Sequence, residues 1–260
     1  MDTQPSRQPV LFLGHGSPLN ALEDTPWSRA WVRLGQSLDR PKAIVVVSAH
    51  WWTQGTLVTA SVNPTTIHDF GGFPKALFDV EYSAPGRPEL AETISQALGG
   101  KSTLDWGLDH GAWSLLLRLF PKADIPVLQV SLDLAATPAQ HLELGQKLSA
   151  LRDEGILLLG SGNITHNLPQ AFRQLQRKDP TTPQWAADFQ ARTMSALKAR
   201  DTTTLLGLHS TQAGRISHPT PDHWFPLIAM FGASSAEDPL DYVCDGWDMG
   251  NLSMTSLRWG

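Results

Sequence analysis

Three short apolar runs in this sequence each lead into a turn that carries a histidine. The runs are residues 10–13, 43–49 and 156–159, and the histidines are His15, His50 and His166. Continuous apolar runs of this length indicate strands that are buried on both faces. Ligands of an open α/β sheet bind outside the carboxyl ends of its strands. The pattern therefore predicts a single α/β domain with a central mixed or mostly parallel sheet flanked by helices, and a functional site at the strand C-terminal ends.

A fourth histidine-bearing turn lies near the end of the chain. His218 and His223 are separated there by four residues, which include two prolines and Asp222. Proline fixes φ and lacks an N–H, so we expect a rigid turn, followed by a buried helix over the apolar residues 224–231. Imidazole is the commonest metal ligand in proteins and titrates near neutrality. We predict that this stretch completes a metal site, at the C-terminal ends of the strands, begun by two histidines far upstream.

The chain is long enough to bury a full core, since 260 residues fit one large α/β domain or two small ones. Predicted strands alternate with predicted helices, so we expect one domain over residues 1–260, with a flexible N-terminus at residues 1–8. The net charge of −5 gives no basic footprint for nucleic acid or for an anionic membrane. A single cysteine and the absence of an apolar signal-peptide core predict a cytoplasmic protein.

Four further assignments follow from local patterns. Residues 78–83 are expected to form a strand, and the polar residues 169–182 a loop. The glycine-rich loop at residues 65–74 is expected to line a pocket. His141 lies in a predicted helix without a neighbouring motif and is assigned to a surface or capping role.

Ten tryptophans accompany nine histidines, and several lie within a few positions of a histidine. Two interpretations stay open: large aromatics that fill a large core, or an aromatic-walled pocket that suits a flat aromatic ligand. Other chemistries lack their motifs, since the sequence has no nucleophile elbow, no Gly-rich phosphate loop, no CxxC pair and no HExxH. The histidine turns therefore remain the strongest chemical signal in the chain.

Five histidine-bearing motifs occur together in one order. They are Gly14-His15-Gly16-Ser17-Pro18, Ser48-Ala49-His50-Trp51, Asp109-His110-Gly111-Ala112-Trp113, Gly160-Ser161-Gly162 with His166-Asn167-Leu168, and His218-Pro219-Thr220-Pro221-Asp222-His223. The set resembles the class III extradiol ring-cleavage dioxygenases, specifically their 4,5-DOPA dioxygenase-like branch. The resemblance runs from about residue 9 to residue 257, and it makes residues 1–260 a single catalytic domain.

The resemblance implies a non-haem metal site that holds one Fe(II) or Zn(II) ion per chain. His15, His50 and His223 match the metal ligands of this branch, and His166 matches either the acid–base residue or a fourth ligand. In better-known class III enzymes a glutamate is the third ligand, so a histidine here also suits zinc. Asp222 is the alternative carboxylate for that position.

The remaining candidate residues concern the substrate and the co-substrate O2. His110 and His218 match positions that either support the metal ligands or face the substrate, and His110 is expected to be catalytic and to hydrogen-bond dioxygen or substrate. His68, with its neighbour Asp69, is a candidate for the polar tail of the substrate, and Trp51 for stacking on its ring. The alternative, purely structural roles are local hydrogen bonds for His68 and core packing for Trp51.

The implied function is extradiol cleavage of a catechol such as DOPA by O2, to give a ring-opened semialdehyde. The partner is then a small aromatic substrate, with no nucleic acid and no membrane, and the protein is a monomer or a small homo-oligomer. Two alternatives remain: a zinc-dependent hydrolase on the same scaffold, and a non-enzymatic binding protein similar to the Memo-type relatives of this superfamily.

Overall fold

The computed structural model describes residues 6–260, which are built around one eight-stranded sheet. The strands are β1 (Val10–Gly14), β2 (Ala43–Thr53), β3 (Leu57–Thr59), β4 (Lys101–Thr103), β5 (Val127–Asp133), β6 (Ile156–Gly162), β7 (Leu240–Cys244), β8 (Trp247–Asp248), β9 (Leu252–Ser253) and β10 (Ser256–Trp259). The helices are α1 (Pro26–Ser37), α2 (Lys75–Phe78), α3 (Pro88–Leu98), α4 (His110–Leu119), α5 (Pro138–Leu148), α6 (Leu168–Arg177), α7 (Gln184–Lys198), α8 (Thr202–Leu208), α9 (Gln212–Ser217) and α10 (Phe225–Ala233).

The order of the strands in the sheet is β4-β3-β5-β2-β6-β1-β10-β7, and β8 pairs with β9 in a separate ladder. The four central strands, β5, β2, β6 and β1, are parallel to one another. Antiparallel pairs flank them, between β3 and β5 on one side and between β1 and β10 on the other. The predicted single α/β domain with a mixed sheet is therefore confirmed, and the carboxyl ends of β2, β6 and β1 lie side by side.

The sheet is buried on both faces because successive side chains of a strand point to opposite sides. In β1, Val10 and Phe12 belong to one core cluster, which also contains Leu227 and Ile228 of α10. Leu11 belongs to the second cluster, which lies against α1 and α4. This double burial explains why the central strands read as continuous apolar runs.

The two helices that border the site begin at defined caps. Asp109 caps α4, and its side chain accepts a hydrogen bond from the backbone N–H of Ala112. Helix α10 has proline in its first turn, where the N–H would have no partner inside the helix, and it confirms the buried helix expected after the rigid turn. Both helices therefore present their first residues to the sheet edge where β2, β6 and β1 end.

Two local predictions are wrong. Residues 79–87 contain no strand, because the short helix α2 ends at Phe78 and the chain then runs without ladder hydrogen bonds. Residues 168–177 form α6 instead of a loop, with Asn167 accepting a hydrogen bond from the N–H of Gln170 at its start. The second error overlooked a helical signal, since Leu168, Phe172 and Leu175 recur at helical spacing but stand among polar residues.

The predicted flexible N-terminus lies largely outside the described residues. At its end, Gln8 is buried, and its backbone N–H donates to the carbonyl of Arg152 at 3.0 Å. Gln8 is therefore held by the rest of the domain, and the flexibility of the N-terminus stays a prediction. Among residues 6–260, none of the helices combines the length and the apolar character that a membrane span requires.

Candidate metal centre

The sheet brings two histidines from different strands into contact. His15 follows β1 directly, and His50 lies near the carboxyl end of β2. Only β6 separates these two strands. The Nε2 atoms of the two rings lie 3.1 Å apart, and their ring centroids 5.0 Å apart. His15 is buried and His50 is partly buried, so the pair faces a largely dry site.

His110, the first residue of α4, joins this pair. Its ring centroid lies 3.9 Å from that of His50 and 5.7 Å from that of His15. One nitrogen from each of the three rings lies within 4.8 Å of the others, which is the geometry of a metal-binding group. The structure therefore places His110 as close to His15 and His50 as a ligand must be, although its predicted role is catalytic.

His223 and His166 complete a cluster of five imidazoles. The ring centroid of His223 lies 5.0 Å from those of His15 and His50. His166 stacks on His223, with the centroids 3.4 Å apart and the planes 8° from parallel. The Nε2 atom of His223 is buried without a hydrogen-bond partner among the described residues, whereas the ring of His166 is partly exposed.

In two of the rings, Nδ1 faces away from the other imidazoles and contacts a side-chain oxygen. Ser161 at the end of β6 places its Oγ 2.9 Å from Nδ1 of His15, and its own hydroxyl donates to the carbonyl of Gly111. The oxygen therefore accepts from His15, whose Nε2 carries the lone pair. Asp222 Oδ2 lies 3.0 Å from Nδ1 of His223 and has the same effect on that ring.

The carboxylate of Asp69 lies beside two rings. Its Oδ2 lies 3.0 Å from Nδ1 of His110 and 3.6 Å from Nδ1 of His50. Burial would raise the pKa of the Asp69 carboxyl, but hydrogen bonding and electrostatic attraction to His110, with the nearby His50, outweigh it and lower the pKa to about 2. The carboxylate is therefore ionised at neutral pH.

A buried network fixes the start of α4 beneath these rings. Asp109 Oδ1 accepts from the hydroxyl of Ser48 at 2.7 Å, and its Oδ2 accepts from the side-chain amide of Gln129 at 2.7 Å. Burial, with the nearby Asp69, raises the pKa of the Asp109 carboxyl. Because Asp109 caps α4, the network holds the helix whose first residue is His110.

Burial also lowers the pKa values of the site histidines. His15, His50 and His223 each have a pKa well below its ordinary value, because desolvation and the neighbouring imidazoles both oppose protonation. The pKa of His166 is lowered by the same two causes. These imidazoles are therefore neutral at pH 7, the form in which a ring nitrogen binds a metal.

The residues present fit a metal ion. Zinc–imidazole bonds of about 2.0–2.1 Å bring neighbouring ligand nitrogens to separations close to the 3.1 Å between Nε2 of His15 and Nε2 of His50. The partnerless Nε2 of His223 gives a third neutral donor, and an all-imidazole set suits Zn(II) as well as Fe(II). This chain therefore has a site for one non-haem metal ion.

The three predicted substrate-binding residues lie outside the five-ring cluster. His218 is buried, and its Nε2 lies 2.7 Å from the carbonyl oxygen of Ile164. Nε2 of His68 lies 3.0 Å from the carbonyl oxygen of Val80. Trp51 is buried and stacks on an indole of the loop before α4. Their roles towards a substrate stay predictions.

The sequence reasoning misplaced one histidine and missed several partners. His141 is buried and stacks on Phe225 with centroids 4.2 Å apart, so its assignment to the surface is wrong. Asp69 was expected beside the polar tail of the substrate, and the structure places it beside two imidazoles. The contact of Ser161 with His15 was not predicted. The signal for Ser161 was its place at the carboxyl end of an apolar strand between the two strands that carry His15 and His50.

The comparisons with known proteins agree with this geometry. Residues 11–253 match the family described as the catalytic LigB subunit of aromatic ring-opening dioxygenase. The chain is 46% identical to an Escherichia coli (strain K12) protein called 4,5-DOPA dioxygenase extradiol, over 98% of this chain and 96% of that protein. It is 34% identical to a Beta vulgaris protein of the same name, over 100% and 99% of the two chains.

A solved structure extends the likeness to the whole fold. The crystal structure of an uncharacterized protein from Escherichia coli K12 superposes with a TM-score of 0.84 at 41% sequence identity, and it covers 98% of this chain and 100% of that chain. The resemblance carried by the five histidine motifs is thereby confirmed. This chain belongs to the class III extradiol ring-cleavage dioxygenase family, in its 4,5-DOPA dioxygenase-like branch, and is a metal-dependent extradiol dioxygenase.

Proposed function

We propose that this enzyme cleaves the ring of a catechol, with DOPA as the first candidate, and incorporates both atoms of O2. The O–O bond and one ring carbon–carbon bond beside a hydroxyl break, two carbon–oxygen bonds form, and the product is a ring-opened semialdehyde. The observation that carries the proposal is the convergence of five imidazoles at the carboxyl ends of β1, β2 and β6. The names of the Escherichia coli and Beta vulgaris relatives support DOPA as the substrate.

We propose that His15, His50 and His223 hold the metal. The inward Nε2 of His15 and the partnerless Nε2 of His223 support this set. A ferrous ion held there supplies the redox chemistry that O2 activation by a catechol requires, which zinc lacks. We therefore propose Fe(II) as the catalytic metal, with one ion per chain.

His166 is the proposed acid–base residue. His166 is partly exposed, and its lowered pKa leaves it neutral at pH 7. A neutral imidazole can accept the proton of a catechol hydroxyl on a ring nitrogen and return it later to the product. Stacking on His223 at 3.4 Å keeps the ring beside the metal ligand while it does so.

His110 and a group of aromatic side chains form the proposed wall of the substrate pocket. Phe70 meets the ring of His110 edge-on, with centroids 5.4 Å apart, and Trp113 lies 6.1 Å from Phe70. Edge-to-face contacts of this kind suit an aromatic ring as ligand. His68 lies 5.8 Å from Phe70, which keeps it a candidate for the polar tail of the substrate. Trp51 and His218 stay candidates for contact with the substrate.

Oxygen uptake by the metal-loaded protein tests the function. The metal-free protein is loaded in parallel with Fe(II) or Zn(II) under anaerobic conditions, mixed with DOPA, protocatechuate or catechol, and exposed to O2. We expect uptake and a yellow semialdehyde absorbance with Fe(II) alone. His166→Ala and His223→Ala should abolish both signals, whereas His209→Ala, a histidine outside the cluster, should retain them. Tight Zn(II) binding without uptake on any catechol would refute the proposal and favour a hydrolase.

We also propose that the enzyme acts in the cytoplasm as a monomer or a small homo-oligomer. The single cysteine and the net charge of −5 support a reducing compartment and no attraction to anionic surfaces. Light scattering of the purified protein measures the assembly size, and a large assembly would contradict the second part.

A further inference from the structure

Asp69 occupies an unusual position, because one carboxylate meets two of the five clustered imidazoles. Oδ2 lies 3.0 Å from Nδ1 of His110 and 3.6 Å from Nδ1 of His50. Oδ1 accepts the backbone N–H of His110 at 2.9 Å. The side chain of Asp69 is 18% exposed, so water competes little for these contacts.

Each of the three nitrogens that faces Asp69 points a hydrogen at it: the backbone N–H always does, and an imidazole nitrogen does because the carboxylate favours the tautomer protonated on that side. The backbone N–H of His110 has only a proton to offer. A neutral imidazole carries its single proton on one nitrogen, and an adjacent carboxylate stabilises the tautomer with that proton on the facing nitrogen. The contact with His110 is bent and that with His50 is 3.6 Å long, so both act through close electrostatic attraction rather than through a straight hydrogen bond.

We propose that Asp69 is a positioning residue that holds His50 and His110 in the same Nδ1–H tautomer and turns both Nε2 lone pairs towards one point. That point is shared with Nε2 of His15, which lies 3.1 Å from Nε2 of His50. In the metal-loaded enzyme, Asp69 then couples the orientation of a metal ligand to that of its catalytic neighbour. This last consequence rests on the proposed function, but the tautomer and the orientation do not.

An asparagine cannot replace Asp69 here, although it has almost the same shape. With its oxygen towards the rings, its NH2 group would face the backbone N–H of His110. With the amide turned round, the NH2 group would face Nδ1 of both rings. The first orientation drives the side chain away from the α4 backbone and so from the rings. The second requires one ring to move or to shift its proton to Nε2, which removes a lone pair from the centre. Partners of this kind typically change metal affinity by about 10–100-fold.

The first test uses the metal-free protein and nitrogen-15 NMR of the imidazoles. In the wild type we expect His50 and His110 as Nδ1–H tautomers, and in Asp69→Asn we expect at least one of them to become the Nε2–H tautomer. Asp79→Asn is the matched control, because the carboxylate of Asp79 pairs with Lys75 on the surface and contacts no imidazole of the site. An Nε2–H tautomer at both rings in the wild type would overturn the proposal.

The second test is the affinity for Co(II), followed by its visible spectrum, together with Zn(II) in competition. We expect Asp69→Asn to bind either ion about 10–100-fold more weakly and with an altered Co(II) spectrum, and Asp79→Asn to match the wild type. Equal affinity and an unchanged spectrum in folded Asp69→Asn would overturn the proposal. Neither test needs turnover, so a failure to find oxygen uptake would leave this inference standing on its own.

Discussion

Gly111 is the position where one added methyl group should damage the site most selectively. An ideal Cβ there would lie 2.6 Å from Ser48 Oγ, 2.8 Å from His50 Cδ2 and 3.1 Å from Ser161 Oγ. The ring of His50 would have to retreat by roughly 0.7 Å to reach an ordinary carbon–carbon separation of ~3.5 Å. Both serine hydroxyls are buried and hydrogen-bonded, to Asp109 and to the Gly111 carbonyl, so neither can rotate away without losing a bond.

The magnitude follows from opposing terms. Overpacking of a tight interior costs about 1–3 kcal/mol, and a lost buried hydrogen bond adds about 1 kcal/mol. Alanine in a helix recovers about 0.5–1 kcal/mol relative to glycine. We therefore expect Gly111→Ala to lose on the order of 1–3 kcal/mol of unfolding free energy, and about 2–4 °C in Tm per kcal/mol. A displacement of His50 near 1 Å costs on the order of 100-fold in turnover.

The assay combines thermal unfolding with metal affinity and oxygen uptake of the Fe(II)-loaded protein. Gly207→Ala is the matched control, because a Cβ at this exposed position of α8 meets nothing within 4 Å. It should be as stable as the wild type or up to about 1 kcal/mol more stable, since only helix propensity changes. A Gly111→Ala protein with the Tm, metal affinity and turnover of the wild type would refute the packing argument.

Three further predictions concern other residues. His223→Ala should weaken Zn(II) binding more than His110→Ala does, because Nε2 of His223 has no other partner in the described chain. A competition titration measures both affinities, and a larger loss in His110→Ala would make His110 the third ligand. Burial lowers the pKa of His141 from 6.5 to about 4, so between these pH values the unfolded chain binds more protons than the folded chain. The free energy of unfolding therefore falls as pH drops from 6.5 to 4, by about 3 kcal/mol in all. His141→Phe should flatten the pH dependence of urea unfolding between pH 6.5 and 4, and an unchanged slope would contradict this account. Arg152→Leu should lose about 3–5 kcal/mol in the same assay, because it leaves the carboxylate of Asp238 without its buried partner, and Asp238→Leu added to it should restore part of the loss.

Much of the fold was predictable because buried strands and capped helices leave local signals. The apolar runs that became β1, β2 and β6 are continuous because helices cover both faces of the sheet. The rigid turn after His218 and the helix after it were equally local, since proline acts through its own ring. The error at residues 78–83 arose where the local pattern was weak, because that segment is held by loop contacts. The error at residues 168–177 arose because apolar residues at helical spacing, Leu168, Phe172 and Leu175, stand in a stretch that is otherwise polar.

The sequence by itself determined that histidines end several strands, that a reactive site should lie at that edge, and which family the motifs resemble. Only the tertiary structure decided which imidazoles meet. His141 and His110 both lie in helices, yet one stacks in the core behind Phe225 and the other lies 3.9 Å from His50. The strand order β2-β6-β1 and the docking of α4 make that difference, and both depend on contacts between residues far apart in the chain. The double contact of Asp69 belongs to the same class, because a loop residue meets two rings only once the sheet and α4 are packed together.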